Sequence, residues 1–157
     1  MSLTGKFERL WVDAQEWGLR QIGRIADRRG PASAPHLVTG IRGERAVLFE
    51  LRRRGCVVVA RRWTSTRMRG DVDLIAWDGD CLCFIEVKTR TARGLAPAES
   101  AVDEDKRTML RRLARIYLRA FPEPERKTIR VRFDVVSVYS VDRQPEFEFF
   151  PSAFGWR

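Results

Sequence analysis

A mixed α/β domain is the fold class this sequence predicts, and three observations carry it. Helical hydrophobic spacing alternates with short β-branched runs in the order helix, strand, hairpin, helix, strand. Asp78-Gly79 joins two apolar segments and is the strongest short-range hairpin signal in the chain. A length of 157 residues, 44% hydrophobic and 32% charged, suits one folded domain that needs no disulfide staple.

Taken in order, residues 5–27 place Phe7, Leu10, Trp11, Ala14, Ile22 and Ile25 at mostly helical spacing. A linker rich in Pro and small residues follows, from Arg28 to His36. This extra N-terminal helix, with Trp11 and Trp17, is expected to pack on the domain or on a second copy as a homodimer. The chain thus divides into an extension at 1–37 and a main domain at 38–157. A helix is predicted over 41–54, with arginines in its last turn and Gly55 as its cap. The run CVVVARRW reads as a strand and RRWTSTRMRG as the loop after it. DVDLIAW and CLCFIEVK are the hairpin strands, and TRTARGLAP is a loop. A long helix covers 99–121 and ends at Pro122 and Pro124. KTIRVRFDVVSVY is a further strand, and EFEFF a short last one.

Composition excludes several functions. The longest apolar runs, 56–60 and 81–85, are far short of the ~20 residues that span a bilayer. Glu8, Arg9, Asp13 and Glu16 interrupt any secretory signal, so a cytoplasmic location is expected. Cys56, Cys81 and Cys83 cannot all pair and lack usual zinc spacing, and they read as small buried hydrophobes. His36 is the only histidine, which removes His-clustered metal sites and disfavours histidine-activated nucleophiles. Hydrolytic chemistry here falls to carboxylates, a lysine and a hard metal ion.

The hairpin carries those groups. Alternation puts Asp71, Asp73, Ile75 and Trp77 on one face, and Leu82, Phe84, Glu86 and Lys88 on one face. A turn at Asp78-Gly79 sets Asp73 opposite Phe84 and Asp71 opposite Glu86. Asp73 and Glu86 then lie diagonally, with Cα atoms roughly 7–8 Å apart. Carboxylates beside Leu74, Ile75, Phe84 and Ile85 repel one another and resist desolvation. Bound Mg²⁺, with Mn²⁺ as a substitute, offsets both costs. An edge-strand salt-bridge ladder is the competing explanation. Arg outnumbers Lys 26 to 4, so a lysine at position 88 slightly favours the metal site. On the helices, Glu44 leads the stripe Val47, Leu48, Leu51, and Lys106 leads Leu110, Leu113, Tyr117. The two charges either converge at one sheet edge or sit at the solvent margin.

The net charge of +9 points to a polyanionic partner. Arg61, Arg62, Trp63, Arg67 and Arg69 load the segment before the acids, and Arg90 and Arg93 the loop after Lys88. These are the candidate nucleic-acid contacts, with Trp63 available to stack. Arg107, Arg111, Arg115 and Arg119 form an i+4 ridge, either a phosphate track or an ordinary solvated helix face.

Gly43-Glu44, Gly70-Asp71-Val72-Asp73-Leu74-Ile75-Ala76, Phe84-Ile85-Glu86-Val87-Lys88 and Arg132-Phe133-Asp134-Val135-Val136 together resemble the YraN-like family, taken to be endonucleases. The match spans roughly 38–154, with Asp71-Val72 where the family usually has Glu-Ile. That family is similar to the PD-(D/E)XK nuclease superfamily and implies a restriction-endonuclease-like αβββαβ core, a mixed sheet flanked by helices. The resemblance implies that Asp73, Glu86 and the Val87 carbonyl bind Mg²⁺ and that Lys88 positions the attacking water. Glu44 would complete the catalytic set and Lys106 would reach a phosphate. The expected function is Mg-dependent hydrolysis of nucleic-acid phosphodiesters, DNA favoured over RNA. The alternative is a non-catalytic nucleic-acid-binding module on the same fold.

Overall fold

The computed structural model describes residues 35–90, 102–139 and 144–157. Its elements are α1 (Pro35–Arg53), β1 (Val57–Ser65), β2 (Met68–Asp78), β3 (Cys81–Arg90), α2 (Glu104–Leu118), α3 (Glu123–Thr128), β4 (Arg130–Tyr139) and β5 (Glu146–Phe154). One five-stranded sheet has the order β1-β2-β3-β4-β5. Among the described strands only β3 and β4 pair in parallel, because α2 and α3 lie between them and return the chain in the same direction. The expected mixed sheet flanked by helices is what forms.

Two cores explain the layering. On one face Val47 and Leu51 of α1 pack with Leu74, Ala76, Ile85, Val136 and Val138. On the other, Leu110, Leu113 and Ala114 of α2 pack with Ile75, Leu82, Phe84, Phe133 and Val135. Covered on both sides, β3 is buried without a break from Cys81 to Val87. Cys81 and Cys83 sit in the α1-side core as free thiols, as their small apolar character predicts.

Several boundaries differ from expectation, each for a local reason. Helix α1 starts at Pro35, inside the stretch read as linker, since proline is tolerated in a first helical turn. The segment read as a loop over 61–70 is mostly strand. Trp63 pairs with Val72 and Thr64 with Asp71, so β1 runs to Ser65 and β2 starts at Met68. The long helix is shorter, 104–118, and Asp103 caps it by accepting the Lys106 N–H at 2.8 Å. Pro122 and Pro124 end that helix and open another, α3, because their fixed φ suits a helix start. The last strand extends to Phe154.

The hairpin register also differs. Asp78 pairs with Cys81, so the turn residues are Gly79 and Asp80. Gly79 has φ +59°, the sign that a type II′ turn requires at its first central position. Ile75 therefore opposes Phe84, and the pairing has moved by two residues from the expected one. A shift of two keeps every side chain on its face. The helix expected at 5–27, with Trp11 and Trp17, lies outside the described residues, as does Arg93.

Candidate metal and nucleic-acid site

Asp73 and Glu86 come together where β2 leaves β3. The β2–β3 pairing ends at Leu74 with Ile85, one residue beyond Asp73. There the Asp73 carboxylate takes over from the strand backbone, and its Oδ2 accepts the Val87 N–H at 2.7 Å. Ile75 and Phe84, two residues along each strand, oppose each other within the α2-side core. By strict alternation Asp73 and Glu86 share that face. Both are buried, at 9% and 4% exposure.

Burial first, then the neighbouring Glu86, pushes the Asp73 carboxyl up to about 7, against the Val87 N–H and Lys106, which favour its charge. Glu86 is gripped from two sides. Lys88 Nζ lies 2.9 Å from Oε1, and Lys106 Nζ lies 2.9 Å from Oε2. The second contact is a close charge contact more than an aligned hydrogen bond, and the buried Oε2 keeps a lone pair unused. Lys106 comes from the first turn of α2, so the helix stripe that it leads does converge on the acids. Burial would lower its pKa, but Glu86, Asp73 and Asp71 outweigh that and hold it above the ordinary lysine value.

Glu44 reaches the same end of the sheet from α1. Gly43 makes this approach possible: a Cβ there would collide with the Thr89 side chain on β3. Burial raises the Glu44 carboxyl, with Arg62 and Arg61 opposing and Asp71 and Glu86 reinforcing. Arg62 Nε stands 3.8 Å from Glu44 Oε2, beyond hydrogen-bond reach, and that buried oxygen accepts no hydrogen bond among the described residues.

These oxygens fit a hard divalent cation of the Mg²⁺ type. Asp73 and Glu86 are carboxylates in a poorly solvated position, and Glu44 holds an orphaned oxygen facing the same field. Mg²⁺ takes one or two carboxylates and fills its shell with water and phosphate oxygens. Among the described residues no group of three or more His, Cys, Asp or Glu side chains is placed to hold a metal ion, so a cation here would rest on the Asp73–Glu86 pair and take its remaining ligands from outside the protein. Val87 enters through its N–H, which fixes Asp73.

The basic residues divide differently from expectation. Arg61, Arg62, Arg67 and Arg69 are exposed along the β1–β2 hairpin, with Arg67 in its turn and the others on strands. Arg90 ends β3 half-buried. Trp63 does not stand free for stacking: it meets Tyr117 edge-to-face at 5.2 Å and belongs to the α2-side core. Two arginines of the α2 ridge, Arg111 and Arg115, are engaged within the fold. Arg111 is 7% exposed and donates to Glu104 Oε1 at 2.6 Å, Gly155 O at 2.8 Å and Arg157 O at 2.7 Å. Arg115 lies over the Trp156 ring. Arg111 and Arg115, with Arg107 over the Phe154 ring, hold the C-terminal segment against the helix.

Sequence reasoning missed two features. One is the direct Lys106–Glu86 contact, which no periodicity reveals because it joins two elements. The other is Ser137, fully buried with no hydrogen-bond partner for its hydroxyl among the described residues, and paired in register with Lys88. A serine inside the apolar run RFDVVSVY was the available signal.

A model of the uncharacterised protein family UPF0102 matches residues 43–138. Curated relatives of that description include one from Koribacter versatilis, 47% identical over 79% of this chain and 84% of the relative. Another from Solibacter usitatus is 40% identical over 86% of this chain and 96% of its own length. One from Rhodococcus opacus is 39% identical over 77% of this chain and 99% of its own length. No helix among the described residues is long and apolar enough to cross a membrane.

Proposed function

This chain belongs to the UPF0102 family, and from the geometry of its site we propose that it is a metal-dependent nuclease acting on nucleic-acid phosphodiesters, with DNA the favoured substrate. The observation that carries this reading is the buried pair Asp73 and Glu86, with a lysine ammonium 2.9 Å from each Glu86 oxygen. Two carboxylates desolvated together are costly to a fold unless a cation joins them. Resemblance to the PD-(D/E)XK superfamily supports the same reading.

Asp73 and Glu86 would hold Mg²⁺ or Mn²⁺, with Glu44 lending negative charge. The bound cation would supply Lewis-acid polarisation of a phosphoryl oxygen and a more acidic water. Lys88, fixed beside Glu86 on β3, would orient that water and shield its charge. Val87 locks Asp73 through its backbone N–H, so this acid needs no rearrangement on binding. Exposed Arg61, Arg62, Arg67 and Arg69 would hold flanking phosphates, a contribution that weakens with salt.

Incubating single-stranded, duplex, flapped and four-way-junction DNA with Mg²⁺ or Mn²⁺ tests the proposal. Cleavage that disappears with EDTA and in Glu86→Ala supports it, and cleavage that survives Glu86→Ala removes this site from the chemistry. A second reading is a non-catalytic nucleic-acid-binding module. It is favoured by the ammonium contacts at both Glu86 oxygens, which already balance that carboxylate. DNA binding that persists in EDTA, with no cleavage and no effect of Lys88→Ala, would select it.

A further inference from the structure

Glu86 presents the acid site with a problem of occupancy. Each of its oxygens has an ammonium 2.9 Å away, so a divalent cation arriving at Asp73 and Glu86 meets positive charge already in place. The two lysines differ in how they are held. Lys88 is on β3, two residues from Glu86 and on the same face, so its backbone is tied to the strand that carries the carboxylate. Lys106 belongs to a different element. Its backbone N–H is fixed by the Asp103 cap at 2.8 Å, so its ammonium reaches Glu86 from the helix across the gap between two elements, with the side chain 25% exposed.

Three carboxylates, Glu86, Asp73 and Asp71, act on the Lys106 ammonium. It therefore sits in the field that a divalent cation would occupy. Its contact with Glu86 Oε2 is close yet poorly aligned, leaving that oxygen a usable lone pair. We infer that Lys106 is a built-in place-holder, whose ammonium neutralises Glu86 in the free protein and transfers to a substrate phosphate, so that tight cation binding is conditional on nucleic acid. This rests on the nuclease reading above and adds a role to Lys106 as a positioning residue. Phosphate is the partner that can draw the lysine away, since it offers the ammonium a full negative charge where the departing contact leaves one. With the ammonium gone, Glu86 Oε2 faces the cation without a competing charge, and the site fills only when something is present to be cut.

The experiment is Mn²⁺ binding to the full-length chain, followed by loss of the free Mn²⁺ EPR signal. It uses wild type, Lys106→Met, Lys106→Arg, Asp73→Asn and the double variant Lys106→Met/Asp73→Asn. Each is measured with and without a 20-base-pair DNA duplex, with DNA alone subtracted, and Lys106→Gln replaces the Met variant if that one unfolds. Expected are Mn²⁺ affinity raised about tenfold or more in Lys106→Met without DNA, near wild type in Lys106→Arg, and no gain in the double variant. Duplex DNA should tighten Mn²⁺ binding to wild type and change Lys106→Met far less. Wild-type affinity in Lys106→Met, together with binding lost in Asp73→Asn, overturns the place-holder role while the acid site stands. Mn²⁺ binding absent from every variant, or indifferent to Asp73→Asn, overturns the acid site and the place-holder together.

Discussion

Asp73 and Asp134 are both buried aspartates on inner strands, and burial raises the carboxyl of each. Their surroundings then diverge. Asp134 accepts the Arg132 Nε on both oxygens at 2.9 Å and the Ser152 N–H at 2.9 Å, where Ser152 adopts φ +54°. Arg132 continues to Asp78 Oδ2 at 2.8 Å, tying β4 to the end of β2. That cluster closes on itself: its guanidinium answers its acids and the oxygens are used. Asp73 has one N–H and faces another carboxylate. Burial alone thus does not mark a functional acid. What distinguishes Asp73 is a like charge beside it, on Glu86, whose buried Oε2 has no hydrogen-bond partner among the described residues.

The sharpest break of this comparison is in activity. Glu86→Gln should lower Mg²⁺-dependent cleavage by about 10³-fold or more, a loss of some 4 kcal/mol of transition-state stabilisation. Cleavage per folded molecule should stay near wild type in Asp134→Asn, and a fluorescent-oligonucleotide assay compares the two. A comparable loss in Asp134→Asn would erase the distinction.

Stability should show the reverse pattern. Arg132→Ala strips the guanidinium from a buried carboxylate and should cost about 2–3 kcal/mol in urea unfolding, less than a fully buried pair because Arg132 is 25% exposed. Lys88→Ala should cost under about 1 kcal/mol, since it relieves one of two cations on Glu86.

Acidity separates the aspartates more finely. The folded chain keeps a proton on Asp73 up to about pH 7, whereas an unfolded chain releases it near 3.8. Between those values the folded state binds the extra proton, so metal-free stability falls as pH rises from about 4 to 7. Asp73→Asn should flatten that slope and stabilise the metal-free protein at pH 7 by on the order of 2 kcal/mol. Saturating Mg²⁺ should flatten it in wild type as well. Urea midpoints across pH 4–8, with and without Mg²⁺, are the measurement. A slope unchanged in Asp73→Asn would assign the pH dependence elsewhere.

The smallest effect concerns the periphery. Arg69→Ala should weaken DNA binding evenly across sequences and reduce the magnitude of the salt slope by about one unit, read from fluorescence anisotropy at several salt concentrations. Arg112, exposed on α2, should leave that slope unchanged when replaced by Ala.

Much of this was legible in the residues, for reasons with a common form. Period-2 alternation put Asp73 and Glu86 on one face, and that conclusion outlived a wrong turn because the register moved by two residues. The Asp78-Gly79 signal found the hairpin and misplaced its centre by one position. Periodicity aligned Glu44 and Lys106 with the inner stripes of their helices, but whether they met the acids was open.

The sequence by itself determined the order of the main helices and strands, the shared face of the hairpin acids, and that any hydrolytic chemistry must rest on carboxylates and lysine, because periodicity and side-chain chemistry are local properties. Only the tertiary structure decided who meets whom. It brought Lys106 onto Glu86, spent Trp63 on Tyr117, and turned Arg111 from a surface cation into the anchor of residues 44 and 46 positions away. Those outcomes depend on distances between separate elements, and helical or strand repeats fix the direction of a side chain without fixing what stands at the end of it.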